Sequence, residues 1–438
     1  MHSGAGSTIP AFLPFIGVAI GCLLLCISLR ARRKQRLIDD IPTCKAQGVF
    51  IGLVELKGAA HTDTPVTSFL AACPCVHYRY TISEHWRKNE TESYTDSKGH
   101  RRTRHRTRSG WKTVDSGGDS LEYFDLQDDT GSIRIRPHGA DIDATRVFSH
   151  TCGRGDPLYY GKGPPGSIMH STGRRSFTEH AIPVDAQIYV MGHARQRQDI
   201  VAAEIAEDVD TPTYIISTAS EKNVARGKAL TFWLCGMGGL ALGIAPFLLL
   251  PSQARGMPLY AIAAGAMLAA WLIGWLIIVF NSLIGLRQRV NQAWAHIDVE
   301  LKRRHDLIPN LAATVDAAAA HERRTMEAVA HMRNQSNATA PGEEGPDPEA
   351  TTPRLMAVVE AYPNLKTSTN FLRLQRELAE TEQRIALARG YFNQITTAYN
   401  TRLEVIPDGL IAKLAGMRPR ALMQANGFER DALQISLE

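Results

Sequence analysis

The sequence predicts a membrane α+β protein: a small antiparallel β domain between transmembrane helices, followed by an antiparallel helical bundle. Three observations lead there. Residues 9–29, 229–250 and 259–280 are uncharged apolar blocks, each long enough at ~1.5 Å per residue to cross a ~30 Å hydrocarbon core. The segment between the first two blocks alternates apolar and polar residues, and after Phe280 the period lengthens to that of a helix. The composition agrees: 438 residues, 44% apolar and 21% charged, a net charge of +5 and seven scattered cysteines exclude collagen-like, wholly disordered and disulfide-framework chains. The mean hydropathy of −0.17 suggests a soluble protein only because it averages over the blocks.

Charge orders the ends of the blocks. No Lys or Arg precedes Ile9, whereas Arg30, Arg32, Arg33, Lys34 and Arg36 follow Leu29. Positive residues gather on the cytoplasmic side of a span, so the N-terminus is expected outside; the order is the reverse of a cleavable signal peptide. Lys222, Arg226 and Lys228 before the second block, and Arg287 and Arg289 after the third, agree; Arg255 is the one cation in the eight-residue turn between them. The expected location is the bacterial inner (cytoplasmic) membrane, multi-pass, with both soluble domains, 45–216 and 284–438, in the cytoplasm where thiols stay reduced. Gly239, Gly243 and Gly265 mark small-residue faces that let helices approach closely, within or between chains. No ionisable side chain lies in any block, which argues against an ion or proton pathway. Trp271 and Trp275 sit mid-block and are expected to face protein.

Within 45–216, Val49–Val54, His77–Ser83, Ser132–Arg136 and Gln187–Val190 read as strands, and Asp129–Gly131 and Pro164–Gly166 as turns, so a small barrel or sandwich is expected. Nine Lys and Arg residues fall between Arg87 and Lys112. Such a run is read first as a solvated hairpin tip. The second reading makes Arg101, Arg102, Arg104, Arg106 and Arg108 a contact for membrane lipids or an acidic partner, where each cation near an anionic leaflet is worth ~1 kcal/mol. Nucleic acid is not expected, because no aromatic residue is interleaved between Lys98 and Arg108. The cluster Cys73-Pro74-Cys75-Val76-His77 raises a zinc site, but structural zinc takes separated ligand pairs, so buried thiols are expected and no metal or cofactor.

After Phe280, Leu283, Leu286, Val290, Ala293, Ile297 and Leu301 form one helical stripe, and the third block is expected to continue into it without a joint. Pro309 is expected to break or kink that helix, with a second helix over 311–333, an acidic Pro/Gly-rich loop over 337–352 and a helix from Pro353 to Tyr362. A capped restart at Ser368 or Thr369 opens a long helix whose Phe371, Leu374, Leu378, Thr381, Ile385, Ala388, Phe392, Ile395 and Tyr399 keep one face.

Two families are resembled. SFLAACPCVHYRYTI (68–82), Trp111–Val114, FDLQDDTGSIRIRPHGADID (124–143) and IPVDAQIYVMGHA (182–194) resemble, in order, the domain beside the membrane in GIDE-type ubiquitin ligases and their bacterial relatives. Asp185–Ala186 departs from the Gly-acid pair usual there. That resemblance implies a membrane-adjacent β domain; in those ligases a zinc-binding RING follows, whereas Cys235 is the only cysteine after the domain here, so ligase activity is not expected. NQAWAHIDVELKRRHDLIPNL (291–311), AHERRTMEAV (320–329) and the run 357–416 resemble the LemA family, whose members are membrane-anchored helical bundles without an established activity. Arg376, where that family usually has an acid, and Gly390, which costs ~1 kcal/mol against Ala inside a helix, are departures.

Lys302, Arg303, Arg304, His305 and Asp306 with Glu377, Glu380 and Glu382 could form an acid–base or metal site. Helix-end and helix-pairing roles suit them better. Phosphate-loop, zinc-protease, nucleophile-elbow and kinase spacings are absent. The expected function is a non-enzymatic inner-membrane scaffold or assembly protein that self-associates as a homo-oligomer. The alternative is an adaptor regulating a membrane protease or envelope-stress enzyme, implied by the proteases whose genes often neighbour LemA genes.

Overall fold

The computed structural model describes residues 13–95, 101–197, 199, 202–208, 213–248, 257–318 and 369–423. They belong to two units: Cys44–Glu221, and a helical unit from Met1–Thr43 and Lys222–Glu438. In chain order the strands are β1 (Thr43–Cys44), β2 (Gly52–His61), β3 (Val66–Thr67), β4 (Pro74–Thr95), β5 (Arg101–Ser120), β6 (Phe124–Gln127), β7 (Ser132–Ile135), β8 (Asp141–Asp143), β9 (Thr145–Gly153), β10 (Ser171–Pro183), β11 (Gln187–Gln196), β12 (Ala203–Ala206) and β13 (Ile215–Ser217). The helices are α1 (Leu13–Asp40), α2 (Pro157–Gly161), α3 (Glu221–Leu248), α4 (Met257–Ala318), α5 (Thr369–Glu404) and α6 (Asp408–Leu414).

The β unit is a closed barrel with a second sheet inserted into it. Strand β2 pairs β6, β6 pairs β7, β7 pairs β12, β12 pairs β11, and β11 returns to β2. Closure leaves these strands no free edge and fills the interior with Val54, Leu56, Leu126, Ile135, Val190 and Ile205, all essentially buried. The pairing is not antiparallel throughout, as the sequence had suggested: β7–β12 and β8–β13 run parallel. Parallel neighbours need a long crossover, and here the chain makes it through the second sheet, in which β4 pairs β5 on one side and β10 on the other, with β9 beyond β10. The expected turn at Asp129–Gly131 joins β6 to β7; the Asp128 carboxylate accepts from the backbone N–H groups of Thr130, Gly131 and Ala46.

The second sheet is closed at one end by a buried guanidinium. Arg175 and Glu84 are both fully buried on neighbouring strands. A guanidinium carries five N–H donors, and here five hydrogen bonds run from it to one Glu84 oxygen and three backbone carbonyls. Nε and Nη2 donate to Glu84 at 3.3 and 3.1 Å, Nη1 to the carbonyls of Tyr159 and Pro164 at 2.7 Å, and Nη2 to Gly166 at 2.5 Å. The segment 159–166 is thus wound round one side chain. Burial would raise the Glu84 pKa; hydrogen bonds from Ser171, Tyr159 and Arg175 override it and hold the carboxyl below its ordinary value. Glu179, also buried, accepts from the backbone N–H groups of Leu70 and Ala71.

In the helical unit, α4 is one helix of 62 residues. Its stretch Gly265–Leu307 is long and apolar enough to cross a membrane by length and composition, and among the described residues it is the one helix that meets that test. The expected stripe from Leu283 to Leu301 is buried along its whole length. It faces α5, on which Leu378, Thr381, Ile385, Ala388, Phe392, Ile395 and Tyr399 are buried in turn. The two run antiparallel, because Arg304 meets Glu382, Trp294 meets Phe392 and Ser282 meets Arg402. Of the break or kink expected at Pro309, the break does not occur: α4 continues to Ala318. A proline interior to a helix costs about 3 kcal/mol, an amount the buried stripe preceding it offsets. Of the expected second helix over 311–333, residues 311–318 belong to α4; its remainder, the loop 337–352 and the expected helix over 353–362 lie outside the described residues. Trp271 stacks on Phe232, with centroids 5.6 Å apart, and Trp275 packs beside Val279 and Leu283, so both face protein.

Replacing Arg175 with Met strands the Glu84 carboxylate out of water and frees three backbone carbonyls. The β unit should lose about 3–5 kcal/mol, measured by urea unfolding of the detergent-solubilised chain followed by circular dichroism. A loss under about 1 kcal/mol would contradict this account.

Candidate functional site

The basic run is a ribbon. Trp86 is the last β4 residue opposite β10; beyond it, among the described residues, Arg87–Thr95 pair with Arg101–Ser109 of β5 alone. Strand alternation sorts the ribbon into two chemical faces. Arg104, Arg106 and Arg108, all exposed, share one face with Lys88 and Glu90. The other carries hydroxyl and amide groups, where Thr107 donates to Asn89 at 2.9 Å and Thr91 meets His105 at 3.2 Å. On the basic face Glu90 is approached by Lys88 at 3.0 Å and by Arg108 at 3.5 Å. The Lys88 hydrogen bond, then the charges of Lys88 and Arg108, hold Glu90 below its ordinary pKa. By register Glu92, opposite Arg104, and Arg102, opposite Tyr94, fall on the same face, so cations outnumber carboxylates there five to two. Arg101 and Arg102 occupy the ribbon's end, in register with Thr95 and Tyr94.

The cysteine cluster points three ways. The Cys75 thiol donates to the Val66 carbonyl at 3.4 Å, and burial pushes its pKa up to about 12. Cys73 Sγ lies 3.3 Å from Ser68 Oγ, and burial lowers the His77 pKa. Among the described residues no three His, Cys, Asp or Glu side chains are grouped to hold a metal ion.

The charged residues of the bundle divide likewise. Arg304 turns inward to Glu382 at 3.6 Å across the α4–α5 seam, while Lys302, Arg303, His305, Asp306 and Glu380 are exposed and Glu377 is half-buried. Burial raises the Glu300 pKa, against the opposing charges of Arg384 and Arg303.

Two of the three glycines picked from the sequence lie in a tight crossing. A Cβ on Gly239 would come 2.9 Å from the Gly21 carbonyl, one on Gly21 would come 3.1 Å from the Gly243 backbone, and one on Gly243 would run into Met267. α1, α3 and α4 approach there because no side chain intervenes. Around Gly265, by contrast, there is open space among the described residues.

The strongest constellation escaped sequence reading. Arg36 on α1 donates through Nη1 and Nη2 to both oxygens of Asp408 at the start of α6, each at 2.9 Å. Arg402 near the end of α5 reaches the same carboxylate at 3.0 Å and Asp40 on α1 at 3.3 Å. Ser282 on α4 donates to Asp40 at 2.6 Å. Arg36, Asp40 and Asp408 are 3%, 7% and 2% exposed, so with the half-buried Arg402 two arginines and two aspartates neutralise one another where four helices meet. Burial raises the Asp40 pKa, against Arg402, Ser282 and Arg36. The available signal was the pair Asp39–Asp40 closing an otherwise basic flank; its partners lie hundreds of residues away.

Residues 293–437 match the model of the LemA family, and residues 91–247 match a model described as an E3 ubiquitin ligase, GIDE. The two matches fall in the order in which the resemblances run along the sequence, and with the apolar helix they point to a membrane-associated protein. No curated protein matches the chain.

If the ion cluster acts as one unit, Asp408→Asn should cost about 3–5 kcal/mol in thermal or chemical unfolding of the solubilised protein. Adding Arg36→Gln to it should cost less than the two single losses summed, by at least about 1 kcal/mol. Strict additivity would show that the two side chains do not couple.

Proposed function

We propose that the chain is a non-enzymatic scaffold of the bacterial inner membrane, in which α1, α3 and α4 cross the bilayer, the N-terminus lies outside, and the β unit and the bundle are both cytoplasmic. The observation that carries this reading is α4: the same unbroken helix contains the apolar stretch and the stripe that buries α5. A helix without a joint makes the anchor and the bundle one body. The ion cluster of Arg36, Asp40, Arg402 and Asp408 supports the same reading, since it ties the cytoplasmic end of α1 to that body. Buried charged pairs such as Arg304 with Glu382 and Arg175 with Glu84 hold helices and loops together, which supports a structural role for them.

Two surfaces offer attachment. The arginine face of the ribbon suits anionic lipid or an acidic partner, at ~1 kcal/mol per cation near an anionic leaflet. The open face at Gly265 suits a helix of a second copy, because small residues let backbones approach closely.

Crosslinking in intact membranes followed by native mass measurement should reveal self-assembly or a stoichiometric membrane partner. A monomer that brings nothing with it would refute the scaffold reading. A reporter fused after Glu438 should be active in the cytoplasm, and activity confined to the periplasm would reverse the orientation.

A further inference from the structure

A cavity of about 390 Å³ lies between α1 and α4, just past Leu29 and Phe280, where the apolar blocks of both helices end. Its walls have two chemistries. Ile277 and Ile278 line the side toward the apolar block of α4, and Arg33, Arg36 and Arg289 line the other. Gly285 also borders it, and a Cβ added there would meet nothing within 4 Å among the described residues, so the helix forgoes a side chain where the space is.

The cationic wall has donors to spare. The two terminal nitrogens of Arg36 are taken by Asp408, but its Nε is out of solvent with no hydrogen-bond partner among the described residues. Nη1 of Arg289 is in the same condition. Leaving a buried N–H without an acceptor forfeits its hydration with nothing in return, so two on one cavity call for an acceptor that the described residues do not supply. Asp40, the carboxylate on the wall, is engaged by Ser282 and Arg402. Arg33 stands exposed at the rim.

We infer that this cavity binds the phosphodiester headgroup of an anionic phospholipid, with the phosphate accepting from Arg289 and Arg36 Nε and an acyl chain running along Ile277 and Ile278. The alkyl wall is what distinguishes a lipid from free phosphate, which would gain nothing from it. The inference rests on the reading that α1 and α4 enter the bilayer at Leu29 and Phe280. It does not need the cytoplasmic orientation, nor does it use the ribbon.

The test is native mass spectrometry of the full chain in neutral detergent, titrated separately with phosphatidylglycerol, phosphatidylcholine and inorganic phosphate. Phosphatidylglycerol should bind at least about tenfold tighter than phosphatidylcholine, and inorganic phosphate should neither bind at the same concentrations nor displace it. Arg289→Gln, which removes the donor, and Gly285→Leu, which fills the space while keeping every charge, should each weaken phosphatidylglycerol at least about tenfold. Arg33→Gln changes an exposed side chain and should weaken it about threefold even if the other variants unfold. Arg104→Gln/Arg106→Gln on the ribbon should leave the affinity unchanged. Equal binding of both lipids, competition by inorganic phosphate, or wild-type affinity in the Arg33, Arg289 and Gly285 variants would overturn the assignment. Failure of the scaffold reading would instead show in crosslinking or in the reporter, with lipid binding intact.

Discussion

Arg36 and Asp408 are separated by 372 residues and meet through two parallel hydrogen bonds in a space nearly closed to water. An isolated charge in such a place would cost several kcal/mol, and only a partner of opposite sign with matched geometry offsets the loss of hydration. The cluster therefore acts as a condition on assembly: α1, α4, α5 and α6 must arrive together, because any one missing leaves a charge stranded. Bidentate pairing adds orientation to attraction, since a guanidinium accepts a carboxylate in its own plane. This fixes the angle at which the apolar helices enter the bundle, and the apolar contacts of Val279, Leu283 and Ala412 close round it.

The β unit solves the same problem with different parts. Arg175 is satisfied by one carboxylate and three backbone carbonyls, so the connection that carries α2 and the turn after it is given a single conformation. Glu204 does the converse, drawing Arg136 and Arg195 onto one buried carboxylate at 3.0 and 2.9 Å. In both, the polar group specifies which backbone segments come together, while the apolar interior supplies most of the driving force. The second sheet extends beyond β10 as the ribbon of β4 and β5, where among the described residues no third strand pairs.

That contrast separates residues that hold the molecule together from those free to act on something else. The charged side chains of the bundle seam, the buried thiols and the Glu84–Arg175 pair face inward and are occupied. Arg104 and Arg106 on the ribbon are exposed, and Arg36 Nε and Arg289 Nη1 have no hydrogen-bond partner among the described residues. Both available surfaces are cationic, with hydroxyl neighbours on the ribbon and apolar ones at the cavity, and such surfaces attract anionic groups.

Much of this molecule was legible in one dimension. The buried stripes of α4 and α5 follow from apolar spacing at three and four residues, the absence of a joint between the third block and the bundle follows from an uninterrupted helical period, and the β character of 45–216 follows from alternation, because each periodicity reports which face of a local element meets the core. What tertiary structure alone decided were relations between distant residues: the barrel's closure through β2 and β11, the parallel pairs β7–β12 and β8–β13, the persistence of α4 through Pro309, and the convergence of Arg36, Asp40, Arg402 and Asp408. Local spacing encodes a residue's orientation on its own strand or helix. It carries no record of which charge, hundreds of positions away, will be brought opposite, since that depends on how all the elements pack at once.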